Sequence, residues 1–549
     1  MRRRRTKAGV SVHAIAGSHV VLLGLDAEPG AARGLLGFAI HRKDNSPGAD
    51  DDEREGYWLR SFRTFEATDP EPVRGSLVSS RDHPIQSFLW GDYTAKPGRE
   101  YAFKVIPVYG TPRRLRPGAP VRITVTTENQ DIGHHAIYFN RGVAGSQAYA
   151  RKFGNRKPDR VPGAYRWLSR GLEEAILSFI GRAKSARYGL RVAAYEFSYP
   201  PVLDALAAAS RRGADVRIIY DHRGNEPGDS SLRAIKNAGI EDLVTPRRAS
   251  PSFISHNKFI VLVDRGRPVE VWTGSTNFTE SGIFGQSNVG HLVRDRSMAS
   301  QFHAYWQELH GDPTAAELRP WVVGATPEPE GPMNRRSINL LLSPRTSLRA
   351  LNWYAERMAD AEEAVCFTAA FGVNSVLADV LAEHRPFLRY LLLEKPGNNM
   401  GIVSRDRNNR IAIGGTLDQT EGELHRWLAE RLTGLNVHVR FVHTKYMLID
   451  PLGDAPTVIS GSANFSDAST RRNDENMLII RGNSRVADIY LGEFMRLFNH
   501  FYFRHVVRRQ QRYGAGRARK SAYLVPDDSW CRPYYREGST LERQRLLFR

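Results

Sequence analysis

The chain has 549 residues, of which 41% are hydrophobic and 10% aromatic. That is enough apolar material for about three or four domains of ~150 residues each and excludes disorder over its whole length. A net charge of +19, from 78 basic and 59 acidic residues, favours polyanionic partners: nucleic acid, anionic lipid head groups or phosphate-bearing substrates.

The N-terminal run MRRRRTKAGV is basic, but the apolar stretch after it is broken by His13, Ser18 and His19, so it does not read as a signal peptide and a cytoplasmic location is expected. The sequence contains no run of eighteen apolar residues, so no transmembrane helix is expected. Two cysteines, Cys366 and Cys531, form no disulfide framework. Residues 1–128 read as short strands and turns with little helix, which predicts an all-β sandwich domain. In it, PGREYAFKVIPVYG and LLGFAIHR resemble a late and a middle strand of fibronectin type III domains. The acidic insertion KDNSPGADDDEREG reads as a solvated loop.

From residue 129 to 323 the pattern alternates between strand and helix: WLSRGLEEAILSFIGRAK, LRVAAYEF, PPVLDALAAASRRG, ADVRIIYD. This predicts α/β wrapping. His134 and His135 are adjacent and point to opposite faces of a strand, which argues against a metal pair. Residues 324–336 are rich in Pro and Gly and read as a linker, after which 337–505 repeat the plan. The segment from AVCFTAA to LRYLLLEK is the same β-α-β sentence as the segment from RVAAYEF to VRIIYD. The polar stretch from Lys395 to Asp418 is either a surface excursion or a border of the pocket. Residues 506–549 form a basic extension, with Arg508, Arg509, Arg512, Arg517, Arg519 and Lys520 near Tyr513. It would either track phosphates or fold back as a solvated tail.

The chemistry lies in a stretch written twice. HNKFIVLVD followed by GSTNF places His256, Lys258, Ser275 and Asn277; HTKYMLID followed by GSANF places His443, Lys445, Ser462 and Asn464. Every matching pair is 187 residues apart. On an extended strand the H-x-K spacing sets an imidazole and an ammonium side by side on one face. The G-S-x-N segments follow a second apolar strand and read as strand-to-helix turns, where small and amide side chains line an anion site. A zinc site does not fit a set with Lys where a ligand is needed.

These paired motifs resemble those of the phospholipase D superfamily, and the resemblance covers roughly residues 130–510. It implies two tandem, pseudo-symmetric α/β halves behind the β domain, with both motifs at their interface and a whole site in one monomer. It further implies a phosphodiesterase that needs no metal or cofactor. The family's motif Asp falls on Asp450 in the second copy. In the first copy five residues, not four, precede Asp264, and a one-residue slip reverses the strand face. Eleven residues beyond the motif Asn, where the family usually has a carboxylate that orients the histidine, stand Glu475 and Asn288.

On this reading His256 is the neutral nucleophile, and His443, paired with Glu475, is the general acid, because a carboxylate partner favours imidazolium. Lys258, Lys445, Asn277 and Asn464 would hold the phosphate oxygens, and Ser275 and Ser462 would fix the pocket. The motif reports only the reaction at phosphorus. A phosphatidyl substrate, with peripheral contact to a membrane surface, is the first expectation. A nuclease, or an inactive binding scaffold, is the alternative.

Overall fold

The structure, a computed structural model, describes the chain apart from residues 73–75, 143–145, 155, 225, 249–252, 415–441 and 512–522, and the side chains of 146–147 and 503–511. The basic run from Arg508 to Lys520 therefore lies outside the described side chains.

The N-terminal part is all-β. One antiparallel sheet orders the strands Arg2–Lys7, Val10–Ala16, Val21–Ala27 and Leu89–Asp92; the other orders Arg114–Pro117, Glu100–Thr111, Gly37–Asp44 and Tyr57–Trp58, with Val121–Thr126 also paired to Glu100–Thr111. Alternate residues of Val121–Thr126 are buried and exposed, the pattern of a strand with one wet face. Val12, Leu23, Phe38, Phe103 and Ile123 fill the core between the sheets. Trp530 and Tyr534, from the segment expected as a basic extension, enter the same core, and the Trp530 indole N–H donates to the Leu35 carbonyl at 2.7 Å.

The rest consists of two α/β halves. In the first, strands β1 (Asp131–Ile132), β2 (His135–Phe139), β3 (Tyr188–Ala194), β4 (Asp215–Asp221), β5 (Val244–Arg247), β6 (Lys258–Asp264), β7 (Arg267–Gly274) and β8 (Val289–Val293) form a sheet in the order β1-β2-β8-β7-β6-β3-β4-β5. In the second, β9 (Ser337–Ser343), β10 (Ala364–Ala369), β11 (Leu388–Leu393), β12 (Asn409–Ile413), β13 (Tyr446–Ile449), β14 (Thr457–Gly461) and β15 (Glu475–Arg481) run β9-β15-β14-β13-β10-β11-β12. Apart from β1, the two orders match strand for strand. This is the tandem, pseudo-symmetric plan that the repeated motifs implied.

The sequence of β6 shows why it sits at the centre. Phe259, Val261 and Val263 join one core, and Ile260 and Leu262 join the opposite one, so the strand is apolar on both faces, as a sheet covered by helices requires. The first of these cores is shared: it contains Phe259 and Phe302 from the first half with Tyr446, Leu478 and the long helix Ser484–Gln511 from the second. Across this boundary Arg170 is ion-paired with Glu493, both buried. The two halves are locked as one body, and the motif strands β6 and β13 carry their ends to the seam.

Candidate active site

Each motif histidine is positioned by the opposite half. The His256 amide donates to the Asp474 carbonyl at 3.1 Å and the Asp474 amide donates to the Ile254 carbonyl at 3.0 Å, which ties the segment before β6 to the start of β15. The matching parallel bridge joins Ser287 to Val442. The side chains then meet in crossed pairs. His256 Nδ1 lies 2.9 Å from Glu475 Oε2, and His443 Nδ1 lies 2.9 Å from Asn288 Oδ1.

This corrects the expected pairing of Glu475 with His443. Residues eleven apart from a motif Asn do belong to the same half, but the bridges Ser255–Asp474 and Ser287–Val442 carry each partner across the seam. The carboxylate therefore stands behind His256 and the amide behind His443.

The crossed pairs also fix the tautomers. Asn288 Nδ2 donates to the Gly282 carbonyl at 2.8 Å, while its Oδ1 accepts from Ser275 Oγ at 2.8 Å. That leaves only an acceptor facing His443, so Nδ1 of His443 is the donor; an ionised Glu475 imposes the same on His256. Both neutral rings thus present an Nε2 lone pair. His256 and His443 are 6% and 5% exposed, so each keeps a small accessible edge. Burial, only partly offset by Glu475 and reinforced by Lys258, pushes the His256 pKa down to about 4. Burial, then the charges of Lys445, Lys258 and His256, push His443 well below its usual value.

The two lysines complete the centre. Lys258 Nζ and Lys445 Nζ donate to the carbonyls of His256 and His443, each at 2.5 Å, so the H-x-K spacing returns each ammonium to its own histidine. Burial lowers the Lys258 pKa to about 7, with Glu475, Glu196 and Asp221 opposing the shift. Burial and then Lys258 push Lys445 well below the ordinary range. Two cations pressed together in a dry place are stabilised by an anion between them. Unpartnered buried polar atoms gather here too: Asn277 Oδ1, Asn464 Oδ1 and Glu475 Oε1, a pattern that marks a ligand site.

The serines and glycines of the motif brace this arrangement. Ser275 Oγ donates to Asn288 Oδ1, and Ser462 Oγ accepts from the Asn476 amide at 3.0 Å, so each hydroxyl braces the strand that carries the histidine's partner in its own half. A Cβ on Gly274 would lie 2.3 Å from the Val289 carbonyl oxygen, and one on Gly461 would lie 2.1 Å from that of Asn476. Only glycine lets the two strands approach there.

Asp264 and Asp450 are not at the site. They stand six and five residues past Lys258 and Lys445, about 20 and 16 Å along their strands at ~3.3 Å per residue. Asp264 forms a bidentate pair with Arg187, and Asp450 accepts from the amides of Glu362, Glu363 and Ala364. Both are structural anchors at the far strand ends. His135, by contrast with a metal pair, is buried against His291, with Nδ1 and Nε2 3.0 Å apart.

Four further residues face the site without having been singled out. Tyr195 and Glu196 follow β3: the Tyr195 ring centre is 4.9 Å from that of His256 and 5.0 Å from Lys258 Nζ, and Glu196 Oε2 accepts from Asn277 Nδ2 at 2.5 Å. Asp221 accepts from the Ser255 amide at 2.9 Å and Glu394 from the Val442 amide at 2.8 Å, a matched pair that supports the residue before each histidine. The signal for all four was a polar side chain at the C-terminal end of an apolar strand, where α/β sheets bind ligands. The registers β3–β6 and β10–β13 pair Ala194 with Lys258 and, extended by two steps, Ala369 with Lys445, so Phe371 takes the place of Glu196. Phe371 is 60% exposed, which makes the two sides of the mouth chemically unlike.

Replacing Asn288 by Asp is expected to raise the His443 pKa by about one to three units while His256 moves little, because a carboxylate would then face His443. Imidazole NMR titrations check this; a response confined to His256 would contradict the crossed pairs.

Comparisons with known proteins agree with the motifs. The family described as cardiolipin synthase, PLD-like domain, matches residues 179–310 and 394–498, spanning both motif sets. Two curated proteins, each called Phospholipase D, from Rickettsia felis and Rickettsia prowazekii, are 28% identical over 136 residues, which is 25% of this chain and 62% and 61% of theirs. The chain thus spans about three-fifths of the length of these relatives. A solved structure, the phospholipase D family member Nuc from Salmonella typhimurium, is 36% identical over 25% of this chain and 84% of its own, with a TM-score of 0.21. With both motif sets inside the matched segments and converging on one seam, the chain belongs to the phospholipase D superfamily.

Proposed function

We propose that this chain is a phosphodiester hydrolase that works through a phosphohistidine on His256. The crossed pairing carries the reading: a carboxylate behind His256 and an amide behind His443. When Nε2 of His256 attacks phosphorus, its ring becomes cationic, and Glu475 on Nδ1 stabilises that charge. An amide behind His443 does so less, which leaves protonated His443 the stronger acid.

The substrate's negative charge restores the protons that burial removed, charging Lys258, Lys445 and His443 against the phosphate oxygens. A bond forms from His256 Nε2 to phosphorus as the bond to the leaving alcohol's oxygen breaks, and that oxygen takes the proton from His443 Nε2. Neutral His443 then accepts a proton from water; the water oxygen bonds to phosphorus, the N–P bond breaks, and a phosphomonoester leaves. Lys258, Lys445, Asn277 and Asn464 balance charge on the non-bridging oxygens. The side chains supply nucleophile, acid and cations themselves, so the proposal includes no metal.

A phosphatidyl substrate is supported by the curated relatives' description as Phospholipase D. Nucleic acid is the second reading, favoured by the edge strand Arg2–Lys7, on which Arg3, Arg4, Arg5 and Lys7 are exposed. The test is to offer phosphatidylcholine vesicles and single-stranded DNA in EDTA, with His256→Ala as control. Choline release lost in the variant is expected; DNA cleavage alone would select the second reading, and inactivity on both would reject the phosphatidyl assignment.

A further inference from the structure

Beside the bridge that positions His256 lies a small cleft lined by Arg223, Arg247, Arg248 and Arg472 together with Asp221, Asp474 and Ser255. Four guanidinium groups face two carboxylates. Arg247 is held by Asp474 at 2.8 Å and Asp312 at 2.9 Å, and Arg223 by Asp221 at 3.1 Å. The carboxylates are thus committed to the two inner arginines and hold them in place. Arg248 and Arg472 are exposed at the cleft. Arg248 Nη2 lies 3.2 Å from the His222 ring, and Arg472 is 4.0 Å from Asp467, neither of which is a close charge pair.

The cleft shares its wall with the nucleophile. Ser255, which lines it, precedes His256, and Asp474, which lines it, precedes Glu475; these residues form the bridge that positions the histidine. Among the described residues, the second half does not repeat two of its lining positions. The registers β3–β4 and β10–β11 set Asp221 against Glu394, so Pro396 stands where the first half has Arg223, and the matching bridge has Ser287 where the first has Asp474. Among the described residues, this cleft's arginines therefore sit on the His256 side of the seam.

We infer that this cleft is a second anion subsite, which takes a phosphate group carried by the part of the substrate that stays on His256 after the leaving alcohol departs. The inference rests on the hydrolase reading above. Guanidinium forks suit phosphate because two N–H groups meet two oxygens, and fixed inner arginines reduce the cost of ordering on binding. In-line displacement sends the leaving group away from His256, toward His443, so the cleft serves the retained portion.

Two chromogenic esters with the same leaving group isolate the effect: thymidine 5′-(4-nitrophenyl phosphate) with and without a 3′-phosphate. The expected result is a kcat/KM preference of at least ~10-fold for the 3′-phosphorylated ester, carried by KM, which the double variant Arg248→Ser, Arg472→Ser abolishes. No preference in the native chain, or a preference that survives in the variant, overturns the inference. If the native chain cleaves neither ester, the hydrolase reading loses its support from nucleoside substrates, and calorimetric titration with inorganic phosphate decides the subsite separately. Binding weakened ~10-fold in the variant supports it, and equal affinity rejects it.

Discussion

The His443→Ala enzyme is expected to release about one equivalent of 4-nitrophenol from bis(4-nitrophenyl) phosphate and then stall. Nitrophenoxide leaves without a proton, so attack by His256, still oriented by Glu475, needs no general acid. Water attack on the phosphohistidine needs a base, and removing it slows that step by roughly 10²–10⁴. His256→Ala has no nucleophile and shows neither burst nor turnover, a loss on the order of 10⁶. Rapid-mixing absorbance measures both. Because both rings are buried, His443→Gln is the companion variant that preserves packing. Steady turnover without a burst in the His443 variants would contradict the two-step scheme.

Acidification is expected to unfold the protein earlier than its carboxylates alone would. His135, His256, His291 and His443 are buried. Burial lowers His135 and His256 to about 4 and the other two well below the usual value. The unfolded chain binds a proton on each near pH 6.5, and the folded one does not, so stability falls as pH drops from 6.5 toward 4. At about 1.4 kcal/mol per unit, His135 and His256 each cost about 2 kcal/mol by pH 5, about 4 kcal/mol together, and His291 and His443 act in the same sense. Even the first two are a sizeable share of the stability of a typical domain, about 5–15 kcal/mol. Lys258, lowered to about 7 by burial, acts with the same sign from its ordinary value down to pH 7. Asp221 and Asp474, raised by burial, act in the opposite sense in the carboxylate range. Denaturant midpoints at pH 5 and 7.5 test this, and His443→Asn should flatten the dependence; equal midpoints would contradict neutral buried histidines.

The motif pairs, their common offset of 187 and the doubled β-α-β pattern were legible because they are local periodicities. The exchange of partners was not. Spacing says that Glu475 belongs with Asn464, but which histidine it meets depends on a parallel bridge between residues 219 apart, Ser255 and Asp474. After that correction the proposal of His256 as nucleophile rests on a different argument: a carboxylate on Nδ1 would stabilise the cation formed on phosphorylation. Asp264 and Asp450 mislead because the motif shows them a few letters from the lysines, while an extended strand converts five or six residues into most of a sheet's length. Trp530 and Tyr534 look like tail residues in the sequence because nothing local reveals that they complete a core begun some 500 residues earlier.

The most direct test of the account is to trap the covalent intermediate in His443→Ala with a ³²P-labelled phosphodiester, digest at alkaline pH, where phosphohistidine persists, and map the labelled peptide. Label on His256, lost in the His256→Ala, His443→Ala double variant, is the predicted result. Label on any other residue, or none after a measured burst, would show that the carboxylate behind His256 does not mark the nucleophile.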